Sequence, residues 1–178
     1  MIIKESERIY IRPIRPTDAN FIFAYRSLPS VAKYQYWEPF TMQQALDYAE
    51  HCSNDNPHGK GVWIGLAVVL KSNDDLIGDC AFIIDDDTAE IGANISTDYQ
   101  HQGYGQETVR MLIDNCFQDQ EVKEVSGIVD SQNTASIHML EGVGMKRVTS
   151  FENQIVCKGI VSIEHKYAID RSDFVNNK

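Results

Sequence analysis

The run Ile95-Ser96-Thr97-Asp98-Tyr99-Gln100-His101-Gln102-Gly103-Tyr104-Gly105-Gln106 demands a strand, a tight loop and a helix in immediate succession. The first turn of a helix carries four unpaired N–H groups and about half a positive charge. Glycine lets such a backbone come close to an anion, so the segment reads as a phosphate cradle that needs no lysine. The plain alternative is a glycine-assisted turn into a helix. Two nucleotide-binding patterns do not fit. No G-x-x-x-x-G-K-[ST] run occurs, and Thr108 stands where a dinucleotide fold needs its third glycine.

The flanking patterns place this loop inside a mixed α/β chain. Glu7 to Pro13 alternates as a strand, with Ile9 and Ile11 on one face. Pro16-Thr17-Asp18 starts a helix through about Leu28, with Phe21, Ala24 and Tyr25 on its apolar face and Pro29 at its end. Thr41 and Gln44 form a capping box for a second helix with the stripe Ala45, Leu46, Tyr48, Ala49 and Cys52. Val62–Leu70, Leu76–Ile84 and Ala89–Ser96 read as an antiparallel meander. A helix from Tyr104 to Phe117 follows, buried through Val109, Leu112, Ile113, Cys116 and Phe117. Then come a strand, Val122–Val129, a short helix, Asn133–Glu141, closed by Gly142 and Gly144, and two strands within 146–169. The expected order is β-α-α-β-β-β-α-β-α-β-β, with a right-handed central crossover.

Composition excludes several classes. The 178 residues suit one domain over 1–178, and 43% hydrophobic with 24% charged residues is ordinary for a globular chain. No apolar run is long enough for a signal peptide or a membrane span, so the expected location is cytoplasmic, with no membrane partner. The net charge of −10 argues against nucleic acid and for solubility or attraction of a cationic substrate. Cys52, Cys80, Cys116 and Cys157 form no metal-ligand spacing; they read as buried free thiols, and no metal is expected.

Gln100-x-x-Gly103-x-Gly105 resembles the acetyl-CoA pyrophosphate loop, [QR]-x-x-G-x-[GA], of the GNAT acyltransferases. The stretch from Asn133 through Ser136 and Leu140 to Gly144-Met145 is similar to that superfamily's N-x-x-S-x-x-x-L-x-x-x-G-F segment. It points to the ribosomal-protein N-terminal (Rim-type) branch, as does the opening Glu7-Arg8-Ile9-Tyr10-Ile11-Arg12-Pro13 with Asp18-Ala19. The resemblance implies a GNAT-like fold: a central, mostly antiparallel twisted sheet with helices on both faces. It also implies acetyl-CoA as cofactor, held by Ile95, Ser96, Gln100, Gln102, Gly103, Tyr104, Gly105, Gln106, Asn133 and Ser136. The acceptor would be an amine: a small molecule, a polyamine or a protein N-terminus. A homodimer is common among such relatives. Met145 replaces the usual Phe, and Leu140 stands where many members have an acidic tyrosine, so no catalytic tyrosine carries over.

Acetyl transfer requires a neutral amine, and an α-amino group at about 7.7–8.0 needs less help from a base than lysine near 10.4. Glu90, on the strand leading to the loop, is the first candidate base, with a solvent-facing strand carboxylate as the plain reading and Glu164 in reserve. By resemblance, a backbone N–H from a bulged strand near Asn94 or Ile95 would meet the thioester oxygen. Ser136 would meet the thiolate, or it and Asn133 merely cap their helix. Tyr36, Trp37 and Phe40 line either a substrate pocket or the core. Nothing places a second group beside His138 or His165 to make either a base. A silent acyl-CoA-binding domain is the competing function; it need not keep a poised base.

Overall fold

The computed structural model describes residues 1–176. Its strands are β1 (Lys4–Glu5), β2 (Ile9–Pro13), β3 (Ile64–Leu70), β4 (Leu76–Asp85), β5 (Thr88–Ile95), β6 (Glu124–Asp130), β7 (Lys146–Cys157) and β8 (Ile160–Asp170). Its helices are α1 (Ala19–Arg26), α2 (Pro29–Ala32), α3 (Met42–Ser53), α4 (Tyr104–Cys116), α5 (Thr134–Glu141) and α6 (Arg171–Asn176). The strands form one sheet in the order β1-β2-β3-β4-β5-β6-β8-β7. Only β5 and β6 are parallel, as their connection through α4 requires.

Both faces of the sheet are covered at β3, whereas β7 is largely exposed. Strand β3 is buried along its whole length, and its alternate side chains belong to different cores. Ile64, Leu66, Val68 and Leu70 join Val109, Leu112, Ile113 and Cys116 of α4. Ala67 and Val69 join Ile22 and Tyr25 of α1 with Ala45, Ala49 and Cys52 of α3. The all-apolar composition of β3 follows from this two-sided burial. Leu140, Met145 and Phe174 extend the first core, so Met145 does fill a packing position.

Several local expectations change. The buried face of α1 is Ile22, Tyr25 and Arg26, whereas Phe21 is 51% exposed. Arg26 is inward because it meets a buried carboxylate, which an apolar-periodicity count cannot register. Leu46 is likewise outside the α3 core. Thr41 and Gln44 do form the reciprocal capping box. Pro29 opens α2 rather than only ending α1, since proline suits a first helical position. Cys157 is half-buried, unlike the other three cysteines, because it lies at the end of a largely exposed strand. No described helix is long and apolar enough to cross a membrane.

Candidate functional site

The site begins where the sheet comes apart. β5 pairs with β6 only at Thr88–Glu124, Ala89–Val125 and Glu90–Ser126, although both strands continue. Beyond Glu90 they diverge, leaving a gap inside the sheet. The β4–β5 register is unbroken from Asp85–Thr88 to Gly78–Ile95, so β5 carries no bulge near Asn94 or Ile95. The irregularity is on β4 opposite Val68 and Val69. The Ser96 N–H donates to the Ile77 carbonyl, which fixes the alternation along β5. By that alternation Asn94 turns its backbone toward β4, whereas Ile91, Ala93 and Ile95 turn theirs toward the gap.

At the end of β5 the chain enters α4 through two left-handed residues, His101 (φ 60°) and Gly103 (φ 85°). Gly103 occupies the N-cap without a side-chain cap. Among the described residues no acceptor takes the N–H groups of Tyr104, Gly105 or Gln106. Gln100 and Gln102 serve the loop itself: their side-chain amides donate to the Ile95 and Asp98 carbonyls at 2.8 and 3.1 Å. Ile95 is core and the Ser96 N–H is committed to β4, which leaves the amides of Gly103 to Gln106 without an acceptor among the described residues. Gly105 packs against α5: a Cβ there would stand 2.8 Å from the Met139 sulfur. Gln106 reaches the His138 carbonyl at 3.4 Å.

The second helix start sits at the end of β6. Asn133 caps α5, its side chain accepting from the Ser136 N–H at 3.2 Å. The Ser136 hydroxyl has no hydrogen-bond partner among the described residues. Leu140 is core, against Gly127.

The other face of the gap carries the carboxylates. Glu90 alternates with the core residues Ala89 and Ile91 and so points to the α1–α3 side. It makes no hydrogen bond or ion pair among the described residues. Burial, then the nearby Glu164, push its carboxyl above the usual range, with Lys166 opposing. Glu164 is 7% exposed and fully engaged: Tyr36 donates its hydroxyl to one oxygen, and Asn153 its amide to the other at 3.2 Å. Of the two, only Glu90 has a free carboxylate.

The aromatic segment divides. Tyr36 is 73% exposed overall, but its hydroxyl reaches Glu164 and lies in the field of Glu90; loss of water there, then that hydrogen bond, raise the hydroxyl above its ordinary value. Trp37 and Phe40 stack edge-on at 5.1 Å and lie over the Arg26 guanidinium at 4.6 and 5.1 Å. They form a wall between α1 and α3. His138 and His165 lie outside this cluster; His165 contacts Arg147 and Glu152 on the outer hairpin.

Two features escaped the sequence reading. Arg8, quoted there only as part of a strand motif, sits on the loop, its guanidinium donating to the Gln102 carbonyl at 3.0 Å and to Glu107. Asp79 ties β4 to Arg26, Tyr25 and Asn94. The available signal for Asp79 was a lone charge within the apolar run Leu76–Ile84.

Comparison with known proteins bears on the family and the fold. A family model described as Acetyltransferase (GNAT) domain matches residues 8–146. The chain is 30% identical over 146 residues to the Uncharacterized N-acetyltransferase p20 of Bacillus licheniformis, covering 80% of this chain and 81% of that protein. A GNAT-family acetyltransferase from Bacillus anthracis superposes with a TM-score of 0.82 at 24% identity, over 97% of this chain and 99% of that one. A spermidine N-acetyltransferase from Vibrio cholerae, solved with CoA and spermine, gives 0.76 at 18% identity, over 94% and 98%.

Proposed function

This chain belongs to the GNAT acetyltransferase domain family and is an acetyl-CoA-using acetyltransferase, and we propose that it works from the gap between β5 and β6. The residues present suit the cofactor: a left-handed glycine and an uncapped helix start face an anion, and the parted strands leave room for an extended arm. Gly103, Tyr104, Gly105 and Gln106 would hold the pyrophosphate by their amides, with Gln100 and Gln102 fixing the loop. Ile95, Ser96, Asn133 and Ser136 would line the path onward.

When bound, acetyl-CoA supplies an acetyl thioester open to direct attack by an amine. Glu90 takes the amine's proton, directly or through one water, since its carboxylate is free and its affinity for protons is raised. Glu164 is too fully engaged for that task and instead orients Tyr36. A backbone N–H of Ile91, Ala93 or Ile95 would donate a hydrogen bond to the thioester oxygen. Ser136, on the first turn of α5, would donate a hydrogen bond to the sulfur end of the cofactor, with the helix dipole favouring negative charge there. Tyr36, Trp37 and Phe40 wall the acceptor side.

The acceptor in this reading is a small-molecule amine, a polyamine or a protein N-terminus, handled as in the Rim-type branch in the cytoplasm. The opening strand motif and the Asn133–Met145 segment support that branch. The observation that carries the reading is the loss of β5–β6 pairing beyond Glu90, immediately before the uncapped start of α4. A thiol-release assay with acetyl-CoA across a panel of diamines, aminoglycosides and N-terminal peptides tests it, paired with thermal shifts. CoA should raise the melting temperature and ATP or NAD should not. Stabilisation by a nucleotide alone would refute the assignment, and stabilisation by CoA without turnover on any amine would favour a silent binder.

A further inference from the structure

We propose that Arg8 is a positioning residue for the anion-binding loop: it holds the loop's amides in their binding arrangement and neutralises the one carboxylate in the first turn of α4. The inference rests on the reading of that loop as the pyrophosphate site.

The loop is conformationally demanding. His101 and Gly103 both have positive φ, and a histidine in the left-handed region is disfavoured unless its surroundings hold it. The residue between them, Gln102, has its carbonyl fixed by Arg8 Nη1 at 3.0 Å. That bond orients the peptide joining Gln102 to Gly103, and with it the N–H groups that follow. The guanidinium also lies 4.3 Å from the Tyr104 ring centroid, and a Cβ at Gly103 would stand 3.3 Å from Nη2. One planar fork therefore engages the loop residues on both sides of Gly103 and stands over the place of its missing side chain. Its own backbone is anchored, since the Lys71 N–H donates to the Arg8 carbonyl at 2.9 Å.

The second part is electrostatic. Glu107 lies in the first turn of α4, where a carboxylate steadies a free helix but repels a diphosphate. Arg8 Nε and Nη2 contact its Oε2 at 2.8 and 2.6 Å, and the Arg8 backbone N–H and the Ser6 hydroxyl take Oε1 at 3.1 and 2.6 Å. Burial would raise the Glu107 carboxyl, yet these donors hold it below its ordinary value, so it stays charged and paired. Arg8 remains 43% exposed, leaving part of its charge directed to the outside of the loop. Lysine, a compact point charge with rotatable donors, cannot reproduce the planar fork.

Calorimetry with CoA and with dephospho-CoA, which keeps the diphosphate but lacks the 3′-phosphate, tests this on wild type, Arg8→Ala, Arg8→Lys and Glu107→Gln. Losing a charged hydrogen bond from the loop should raise the Kd of Arg8→Ala about tenfold for both ligands. Arg8→Lys should recover less than half of that loss. Glu107→Gln removes the same ion pair and should lower the melting temperature comparably, yet bind CoA as tightly as wild type or tighter. If Arg8→Ala affinity is unchanged, or Arg8→Lys restores it fully, the positioning role is wrong. If only CoA and not dephospho-CoA weakens, Arg8 acts on the 3′-phosphate instead. If Arg8→Ala and Glu107→Gln weaken CoA equally, the pair is only a clamp on the fold. Absence of CoA binding by the wild type would remove the site reading together with this one, whereas wild-type binding with an indifferent Arg8→Ala removes this one alone.

Discussion

The Arg26 guanidinium grips the Asp79 carboxylate with two bonds, Nε to one oxygen and Nη2 to the other, each at 2.7 Å. The same carboxylate accepts from the Tyr25 hydroxyl and from the Asn94 amide at 3.0 Å, so α1, β4 and β5 meet on one buried group. Burial alone would raise the Asp79 carboxyl; Arg26, then the Tyr25 and Asn94 hydrogen bonds, hold it below its ordinary value. Trp37, Phe40 and Tyr48 enclose the guanidinium, so the aromatic segment after α2 is packed onto this pair.

Arg26→Met strands a buried carboxylate and should cost about 3–5 kcal/mol. For a chain of this length that corresponds to a fall of roughly 10 °C in melting temperature, read by calorimetry. Because the Asp79 pKa is depressed on folding, its stabilisation is present above the unfolded carboxylate value of about 3.9 and is lost as pH falls through the folded one. In Arg26→Met this acid-side loss should be smaller. A melting temperature within about 2 °C of wild type, by the same conversion, would show that the pair is not structural.

Glu90→Gln should lower kcat by about 100-fold, the lower range for loss of a general base, with CoA affinity within about twofold. Turnover in the wild type should fall on the acid side through a pKa above the usual glutamate value of about 4.3. A raised pKa in a half-buried acid opposes folding once the group ionises, so Glu90→Gln should also melt slightly higher than wild type at pH 8. Unchanged kcat in the thiol-release assay would take Glu90 out of the mechanism.

Two glycines separate strain from simple exposure. Gly103 has φ 85°, whereas a Cβ at Gly92 meets nothing within 4 Å. Gly103→Val should weaken CoA at least about tenfold, because a β-branched residue cannot hold that backbone without strain. Gly92→Ala should leave CoA affinity unaltered. Equal affinities for the two variants, measured by calorimetry, would overturn the loop assignment.

Tyr36→Phe removes the hydroxyl that Glu164 accepts while keeping the ring. The expected result is a several-fold rise in acceptor KM with CoA affinity unchanged. A change confined to CoA binding would move Tyr36 to the cofactor side.

The parts of this fold that were legible in the chain are those governed by local periodicity and glycine. The buried face of α4 follows from spacing, whereas reading the loop from Gln100 to Gly105 also needs its place between a strand and a helix and its resemblance to the GNAT motif. What was hidden depends on long-range pairing. Arg26 and Asp79 are 53 residues apart, and each looked like an interruption of an apolar pattern. Arg8 and Glu107, separated by 99 residues, carried no mutual signal at all. The Glu90–Glu164 neighbourhood depends on β8 passing beside β6, and strand order is not written in composition. Strand β1 and helix α6 are too short for a periodic signature.

Strands β5 and β6 part company in the middle of a continuous sheet. A bare strand flank is ordinarily an aggregation hazard, inviting a foreign chain to dock and propagate. Here the flank is internal. β4 lies behind one side and β8 behind the other, and α4 and α5 pack on one face, so a neighbouring strand cannot pair with it from the edge of the sheet. In the proposed reading the unpaired backbone receives a slender guest that enters lengthwise, and neither strand needs a proline to keep other chains from pairing with it.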